Sequence, residues 1–564
     1  MRFNLFFILL CGSVSGQVNY PADYFRSPLD VPMQLSGNFG ELRPNHFHAG
    51  FDLKTMQKEG LSVYAVADGY VSRIKISTFG NGKTIYVTHP NGYTSVYGHL
   101  QRAADSIEDF IKKAQYAEQS FEIEKYLKPG DLIVKKGQLI AFSGNSGASE
   151  GPHLHFEFRD NITENIINPI LFGFDTFLKD TKKPVIFNVY AYPLGAETTV
   201  NQSKRPLLLN LILQKDGSYL ADKVIASGQI GFGINAFDYD DVSYNKNGVY
   251  KVQTYYNGKP SFGYQFDTYS FDEMRYVNAF IDYSRYKQTQ QRVQKLFMKE
   301  PFNLSIIKSD TTKGVITVIP NLSSIFRIEV ADFYGNLTSV TIPIAYEVLP
   351  IVIQKEPISK YIVKAKNESN FVKENMSVFF PANTFYEDFN LNFDVVKDTL
   401  FLHDDTVPAH SNFSIEIEDS KFPESQRDKL FIASINEKKI GYNYTSRTEN
   451  IFTTKVKTLG KYALVLDTIP PKISVAKSIE GKWLSDQKYI QFTISDGLSG
   501  VKSYNGYLND KWILFEYDNK TKKIIHNFSD GIVAEGANEL KIIVMDNMGN
   551  STIFETQFFR SQKQ

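Results

Sequence analysis

The chain has 564 residues, with 62 Lys+Arg balancing 62 Asp+Glu, 42% hydrophobic and 14% aromatic residues. Without a basic excess, electrostatics gives no reason to expect a nucleic-acid partner, and so apolar a chain has ample surface to bury, which excludes disorder. At roughly 100–200 residues per domain, about three to five folded domains are expected.

The chain opens on MRFNLFFILLCGSVSGQVNY, where Arg2, the apolar run Leu5–Cys11 and the small residues Val14-Ser15-Gly16 form the pattern of a secretory leader spanning 1–16. Its apolar run is well short of the ~20 residues that cross a bilayer, and no later run compares with it, so no transmembrane segment is expected. Bulky Leu10 argues against a lipid anchor at Cys11. Cleavage after Gly16 removes the only thiol, leaving His, Asp and Glu as the available metal ligands. An exported protein of the periplasm, cell envelope or exterior is expected.

From residue 17 to 178 short alternating stretches such as KTIYVTHPNGYTSVYGHL and HLHFEFR are separated by Asp-Gly, Asn-Gly and Lys-Gly turns, which predicts a compact antiparallel β domain. Apolar Ile107, Phe110, Ile111 and Ala114 recur at helical spacing within 102–126, and Pro129-Gly130 stops the pattern, so a helical insertion is predicted there. Beyond Asp180 the text is β-rich. Two stretches read as distant repeats: DTKKPVIFNVYAYP through ADFYGNLTSVTIPI, and DTIPPKISVAKS through MDNMGNSTIFETQF. Each opens on Asp-Thr-x-x-Pro and closes on Asp-x-x-Gly-Asn, at Asp332–Asn336 and Asp546–Asn550. They suggest immunoglobulin-like sandwiches over 180–350, with insertions around Tyr269–Lys299, and over 467–564, separated by a further β-rich block at 351–466. The expected fold class is therefore mainly β: an antiparallel β domain with a helical insertion, followed by β-sandwich modules. The Asp-x-x-Gly-Asn segments read as β-turns rather than calcium loops, because one carboxylate falls short of the 6–8 oxygens that calcium takes.

Six of the nine histidines, His46, His48, His89, His99, His153 and His155, lie in the first 155 residues. In HFHAGFDLKT, His48 stands four residues before Asp52; VYGHL carries His99, and GPHLHFE carries His153 and His155. A His-x-His on a strand puts both rings on one face. Two imidazoles and a carboxylate suit a zinc site that keeps a fourth position open for water. By alternation His46 competes with His48 for this role; His89, before Pro90-Asn91-Gly92, reads as a turn-flanking residue, and His403, His410 and His526 as structural.

The ordered blocks RPNHFHAGFDLKT, ADGYVSRI, FGNGKTIYVTHPNGYTSVYGHL and VKKGQLIAFSGNSGASEGPHLHFEFR, over about residues 35–175, resemble the lysostaphin-like zinc metallopeptidases that cut peptide cross-links of bacterial peptidoglycan. The resemblance implies that His48, Asp52 and His155 bind Zn2+ and selects His48 over His46. It also implies that His99 and His153 are the catalytic histidines, handling the proton of a zinc-activated water and the oxyanion, with the two duties open between them. With all five positions filled, the resemblance implies an active endopeptidase acting on peptidoglycan stem peptides. The modules over 180–564 are expected to position it or meet an envelope protein. The alternatives are a catalytically silent scaffold or activator of another wall hydrolase, or an adhesin working through its β modules. The insertion departs from the compact family pattern and can wall the groove, act as a lid or dock another protein.

Overall fold

The structure, a computed structural model, describes residues 19–195, 197–300, 302–352, 359–437 and 439–561. The leader at 1–16, with Cys11, lies outside the described residues. Among the described residues no helix is long and apolar enough to cross a membrane.

The chain is mainly β, as its alternation predicts. In the first domain, strands Leu35–Gly37, Phe51–Lys54, His153–Asp160, Tyr93–Gly98, Lys83–Thr88, Gly69–Ile76 and Ile123–Tyr126 stand side by side in that order. Period two sends Val71, Ile74, Ile85, Val87, Leu154 and Phe156 into a core from which water is excluded. Lys83–Thr88 and Tyr93–Gly98 form a hairpin, with Thr88 opposite Thr94, and Gly92 takes a φ of +90° in its turn. A smaller sheet joins Ser62–Tyr64, Leu139–Phe142 and Arg102–Ala103.

The helical insertion is shorter than the spacing predicts. The helix runs Asp105–Glu118, burying Ile107, Ile111 and Gln115, and ends at Gln119, whose φ of +49° turns the chain out of it. Arg102–Ala103 and Ile123–Tyr126 within the predicted range are strands, because both find a partner edge: Ala103 pairs with Ala141, and Ile123 with Ile76. Their apolar residues mimic a continued helical stripe while obeying a pairing that local spacing does not register.

The second segment docks on the first through main-chain pairing. Thr268–Tyr269 pairs with Ile166–Ile167, which itself pairs with His153–Asp160, so residues of the second segment extend the first domain's sheet. One contiguous core runs from Phe25 to Ile344 across both. The stretch expected to carry insertions holds short helices, Val277–Phe280 and Tyr283–Thr289, with Phe280 packed on Phe47 of the first domain. Two five-stranded sheets between Ser369 and Leu466 enclose a core of their own, and two four-stranded sheets between Lys472 and Arg560 enclose another.

The repeat seen in the sequence is also a repeat in hydrogen bonds. Asn336 N–H donates to Asp332 Oδ1 at 2.8 Å and Asn550 N–H to Asp546 Oδ1 at 2.8 Å, closing the two Asp-x-x-Gly-Asn turns. The side-chain amides of Asn336 and Asn550 reach the carbonyls of Asp180 and Asp467, and Thr338 and Thr552 donate to those of Pro184 and Pro471.

The end of the chain returns to its beginning. Tyr116 of the inserted helix hydrogen-bonds Asp530, its hydroxyl accepts from Leu514 N–H at 3.4 Å, and Lys83 pairs with Glu516 at 2.6 Å. Lys520 donates to Asn145. The inserted helix thus contacts the C-terminal domain of its own chain.

Candidate metal centre

Strand register assembles the site. Phe51–Lys54 and His153–Asp160 run antiparallel with His155 directly opposite Asp52, so the two side chains share one face. On its other flank His155 faces Gly98, where even a Cβ would come within 3.4 Å of the imidazole. His48 comes from the loop after His46–Phe47, held because its N–H donates to Glu41 O at 2.9 Å and its carbonyl accepts from Tyr269 Oη at 2.6 Å. The result is a tight triangle: His48 Nε2 to Asp52 Oδ1 3.1 Å, His155 Nδ1 to Asp52 Oδ1 2.9 Å, and His48 Nε2 to His155 Nδ1 3.1 Å. All three residues are buried.

The outer partners decide which atoms face inward. His48 Nδ1–H donates to Asn38 O at 2.7 Å and His155 Nε2–H to Glu157 Oε1 at 2.7 Å, which turns Nε2 of the first and Nδ1 of the second toward Asp52 as lone-pair donors. Arg159 holds Glu157 from the far side at 2.6 Å, and Arg43 takes the outer oxygen of Asp52 at 2.5 Å. Burial raises the Glu157 carboxyl, but Arg159 and His155 outweigh it and hold the group down to about 2. Burial likewise opposes the Asp52 charge, and His48 and the surrounding imidazoles overcome it, keeping that carboxyl well below its usual range. His48 is lowered by burial. His155 moves the other way, up to about 9, because hydrogen bonds to Asp52 and Glu157 override burial. Two ring nitrogens and a carboxylate oxygen converging this closely suit a cation among them.

His99 and His153 stand beside the triangle. Their ring centroids are 4.7 Å apart, and His99 lies 5.8 Å from His155. His99 holds a φ of +57°, uncommon for a residue with a Cβ, and donates Nδ1–H to Ser146 O at 2.8 Å. Gly82 lets the loop of Ser146 approach: a Cβ on it would lie 2.5 Å from Ser146. His153 Nδ1–H donates to Gly151 O at 2.8 Å. Its Nε2 is buried without a hydrogen-bond partner, 3.4 Å from Asp52 Oδ1. His153 thus turns Nε2 toward the site, and His99, with Nδ1–H given to a carbonyl, keeps Nε2 as its acceptor nitrogen. Burial, then the charges of His155 and His153, push His99 down to about 3.

His48, Asp52, His99, His153 and His155, drawn from three separate stretches of sequence, therefore come together. His46 does not: it is half-buried, with its ring on Pro44 O at 2.9 Å. His89 flanks its turn and is also a satisfied core residue, bonded to Asp68 O and Ser95 Oγ. Sequence reasoning missed Glu157, Arg159, Arg43 and Asn38. For the first two a signal exists, since His153-x-His155-x-Glu157-x-Arg159 continues one alternating stripe; Arg43 and Asn38 carry none. The donor set fits zinc, with two imidazoles and one carboxylate, the far nitrogen of each imidazole anchored and an unpartnered nitrogen alongside.

Comparison with known proteins defines the class. Residues 46–121 and 116–169 match Peptidase family M23, and residues 360–467 match a Zu5-like domain. The chain thus carries a peptidase M23, lysostaphin-like domain near its N-terminus, and a Zu5-like domain occupies the block whose fold the sequence leaves open. A metalloprotease of Haemophilus influenzae described as uncharacterized is 34% identical over 156 residues, 26% of this chain and 26% of its own length. The peptidoglycan DD-endopeptidase ShyC of Vibrio cholerae is 32% identical over 144 residues, 24% of this chain and 27% of its own. The match therefore spans about a quarter of these relatives' length. Among solved structures, the catalytic domain of lysostaphin from Staphylococcus simulans is 25% identical over 24% of this chain and 87% of that one, with a TM-score of 0.18.

Proposed function

We propose that the protein is an exported zinc metalloendopeptidase that hydrolyses peptide cross-links of bacterial peptidoglycan, with residues 17–178 as its peptidase domain. The observation that carries this reading is the triangle of His48 Nε2, Asp52 Oδ1 and His155 Nδ1, every side no longer than 3.1 Å. The M23 match and the wall-hydrolase relatives support the substrate class. These three residues would hold zinc, which when bound supplies a Lewis acid that polarises a carbonyl and lowers the pKa of water. Asn38 and Glu157 fix the two imidazoles, and Arg43 keeps Asp52 turned so that one oxygen faces inward. His153 and His99, each with Nδ1–H tied to a carbonyl so that Nε2 is the basic nitrogen, accept the proton of the attacking water and return it to the leaving amine. The immunoglobulin-like modules over 180–350 and 467–564, with the block at 351–466, place the peptidase on the wall or meet an envelope partner.

The test is incubation of the purified mature protein with peptidoglycan, with and without a chelator, followed by muropeptide separation. Zinc-dependent loss of cross-linked species, abolished in His155→Ala, is expected. Cross-links left intact by zinc-loaded protein would overturn the proposal in favour of a silent scaffold.

A further inference from the structure

The two Asp-x-x-Gly-Asn turns account for their own residues, yet each sits in a larger acidic constellation. In the second segment Asp180, Asp238 and Asp332 converge, with one oxygen of each within 4.8 Å of the others. Two oxygens bound to one calcium at ~2.4 Å can stand no more than ~4.8 Å apart, so the spacing meets that limit. The C-terminal domain repeats the trio as Asp467, Asp496 and Asp546, within the same span. The correspondence is topological. Val185 pairs with Phe237, and Asp238 follows; Lys472 pairs with Ser495, and Asp496 follows. Asp332 and Asp546 each open the turn that leads into the last strand of their unit.

Unpartnered oxygens stand beside each trio. Asp240 Oδ2 and Asn247 Oδ1 have no hydrogen-bond partner, and their residues are only 6% and 7% exposed. Both line the cavity of about 60 Å³ that Asp180, Asp238 and Asp332 also line. Asn247 sits directly opposite Asp238 in an isolated antiparallel bridge, which puts both side chains on one face. In the C-terminal copy Ser499 Oγ is likewise unpartnered in a residue 1% exposed, next to Asp467, whose Oδ2 accepts from Ser499 N–H at 3.0 Å. Among the described residues no Lys, Arg or His pairs with any of these carboxylates. The nearby Lys182 ammonium goes to the Asp240 main-chain carbonyl instead, at 2.7 Å. Burial and then the charges of Asp180 and Asp332 push the Asp238 carboxyl up to about 8, and burial pushes Asp180 to about 6. Carboxylates crowded together, two of each three buried and none ion-paired, are relieved by a bound cation.

We propose that Asp180, Asp238 and Asp332, with Asp240 and Asn247, form a site for a hard divalent cation of the calcium type, and that Asp467, Asp496 and Asp546, with Ser499, form its repeat. All ligands are oxygens, which suits calcium and not the zinc expected at the histidines. The first site lies at the seam with the peptidase domain, since Leu35, Asn38 and Phe51 line the same cavity.

The experiment uses the full mature chain, freed of divalent ions, then equilibrated with calcium chloride and analysed for bound metal and thermal midpoint. Binding in the ~10⁻⁴–10⁻³ M range of extracellular modules is expected. Two calcium ions per chain and a midpoint raised by calcium above its value in the same concentration of magnesium support the proposal. Asp238→Asn and Asp496→Asn each lose one ion, and His155→Ala keeps both. Because Asp238→Asn removes a repelling charge, its fold in chelator should match wild type by circular dichroism; Asp240→Asn gives a second reading of the same site if it does not. No bound calcium in the wild-type chain, or two ions retained in the Asp238→Asn, Asp496→Asn double variant, overturns the proposal.

Discussion

His48, Asp52 and His155 in the first domain and Asp180, Asp238 and Asp332 in the second each gather three ligand atoms in a buried space, but the charge around them is handled in opposite ways. Around the histidines Arg43 and Arg159 balance Asp52 and Glu157, and each ring N–H already has an acceptor. Around the aspartates the one nearby ammonium described, that of Lys182, goes to the Asp240 main-chain carbonyl, and oxygens of Asp240 and Asn247 stay without a hydrogen-bond partner. The difference teaches that a cluster's demand for a cation is set by its second ring of neighbours as much as by its ligands. The two sites also touch through one residue. Asn38 accepts the His48 N–H on its carbonyl, while its amide exchanges two hydrogen bonds of 2.7 Å with Gly248, next to Asn247.

The sharpest way to break this comparison is His99→Ala. If His99 handles protons and not metal, turnover on peptidoglycan falls about 10²–10⁴-fold while zinc content is unchanged. A parallel loss of zinc would make His99 part of the metal-holding set. Glu157→Gln should act more mildly and in the other column: zinc affinity falls about 10–100-fold in a chelator competition, with calcium stoichiometry as in wild type. The smallest effect is a slope. The Asp238 carboxyl, at about 8 in the folded protein, holds its proton far above the usual carboxylate pKa, so the folded state binds more protons than the unfolded one between about pH 4 and pH 8. Its contribution to stability therefore falls as pH rises through that window. Asp180, Asp240 and Asp332 face it and Lys182 sits on the Asp240 carbonyl, so the comparison must be between wild type and Asp238→Asn. In chelator the wild-type midpoint should drop more steeply between pH 5 and 8 than that of Asp238→Asn, and saturating calcium should erase the difference. Parallel slopes in chelator would place Asp238 among ordinary carboxylates.

What the sequence could tell follows from how far apart the partners lie along it. His153 and His155 are legible as a pair because a strand's period of two needs no knowledge of the fold. The choice of His48 over His46 is not, since alternation allows both; it becomes visible only when the loop delivers His48 beside Asp52 and leaves His46 on Pro44. The helix was legible in its middle and overextended at its ends, where Ile123 obeys a sheet partner 47 residues earlier. The acidic sites show the same limit. Each turn is legible by itself in its Asp-to-Asn hydrogen bond, but Asp180, Asp238 and Asp332 converge only in the fold, and no local spacing links them.

The return of the C-terminal domain onto the inserted helix makes the molecule a closed circuit. Tyr269 joins the second segment to the first, Arg275 donates to Ala409 O in the third, Lys429 donates to Met548 O in the fourth, and Tyr116 meets Asp530 to complete the round. In a linear string of domains one severed peptide bond frees everything beyond it. Here a single nick between domains leaves both pieces tethered from the other direction.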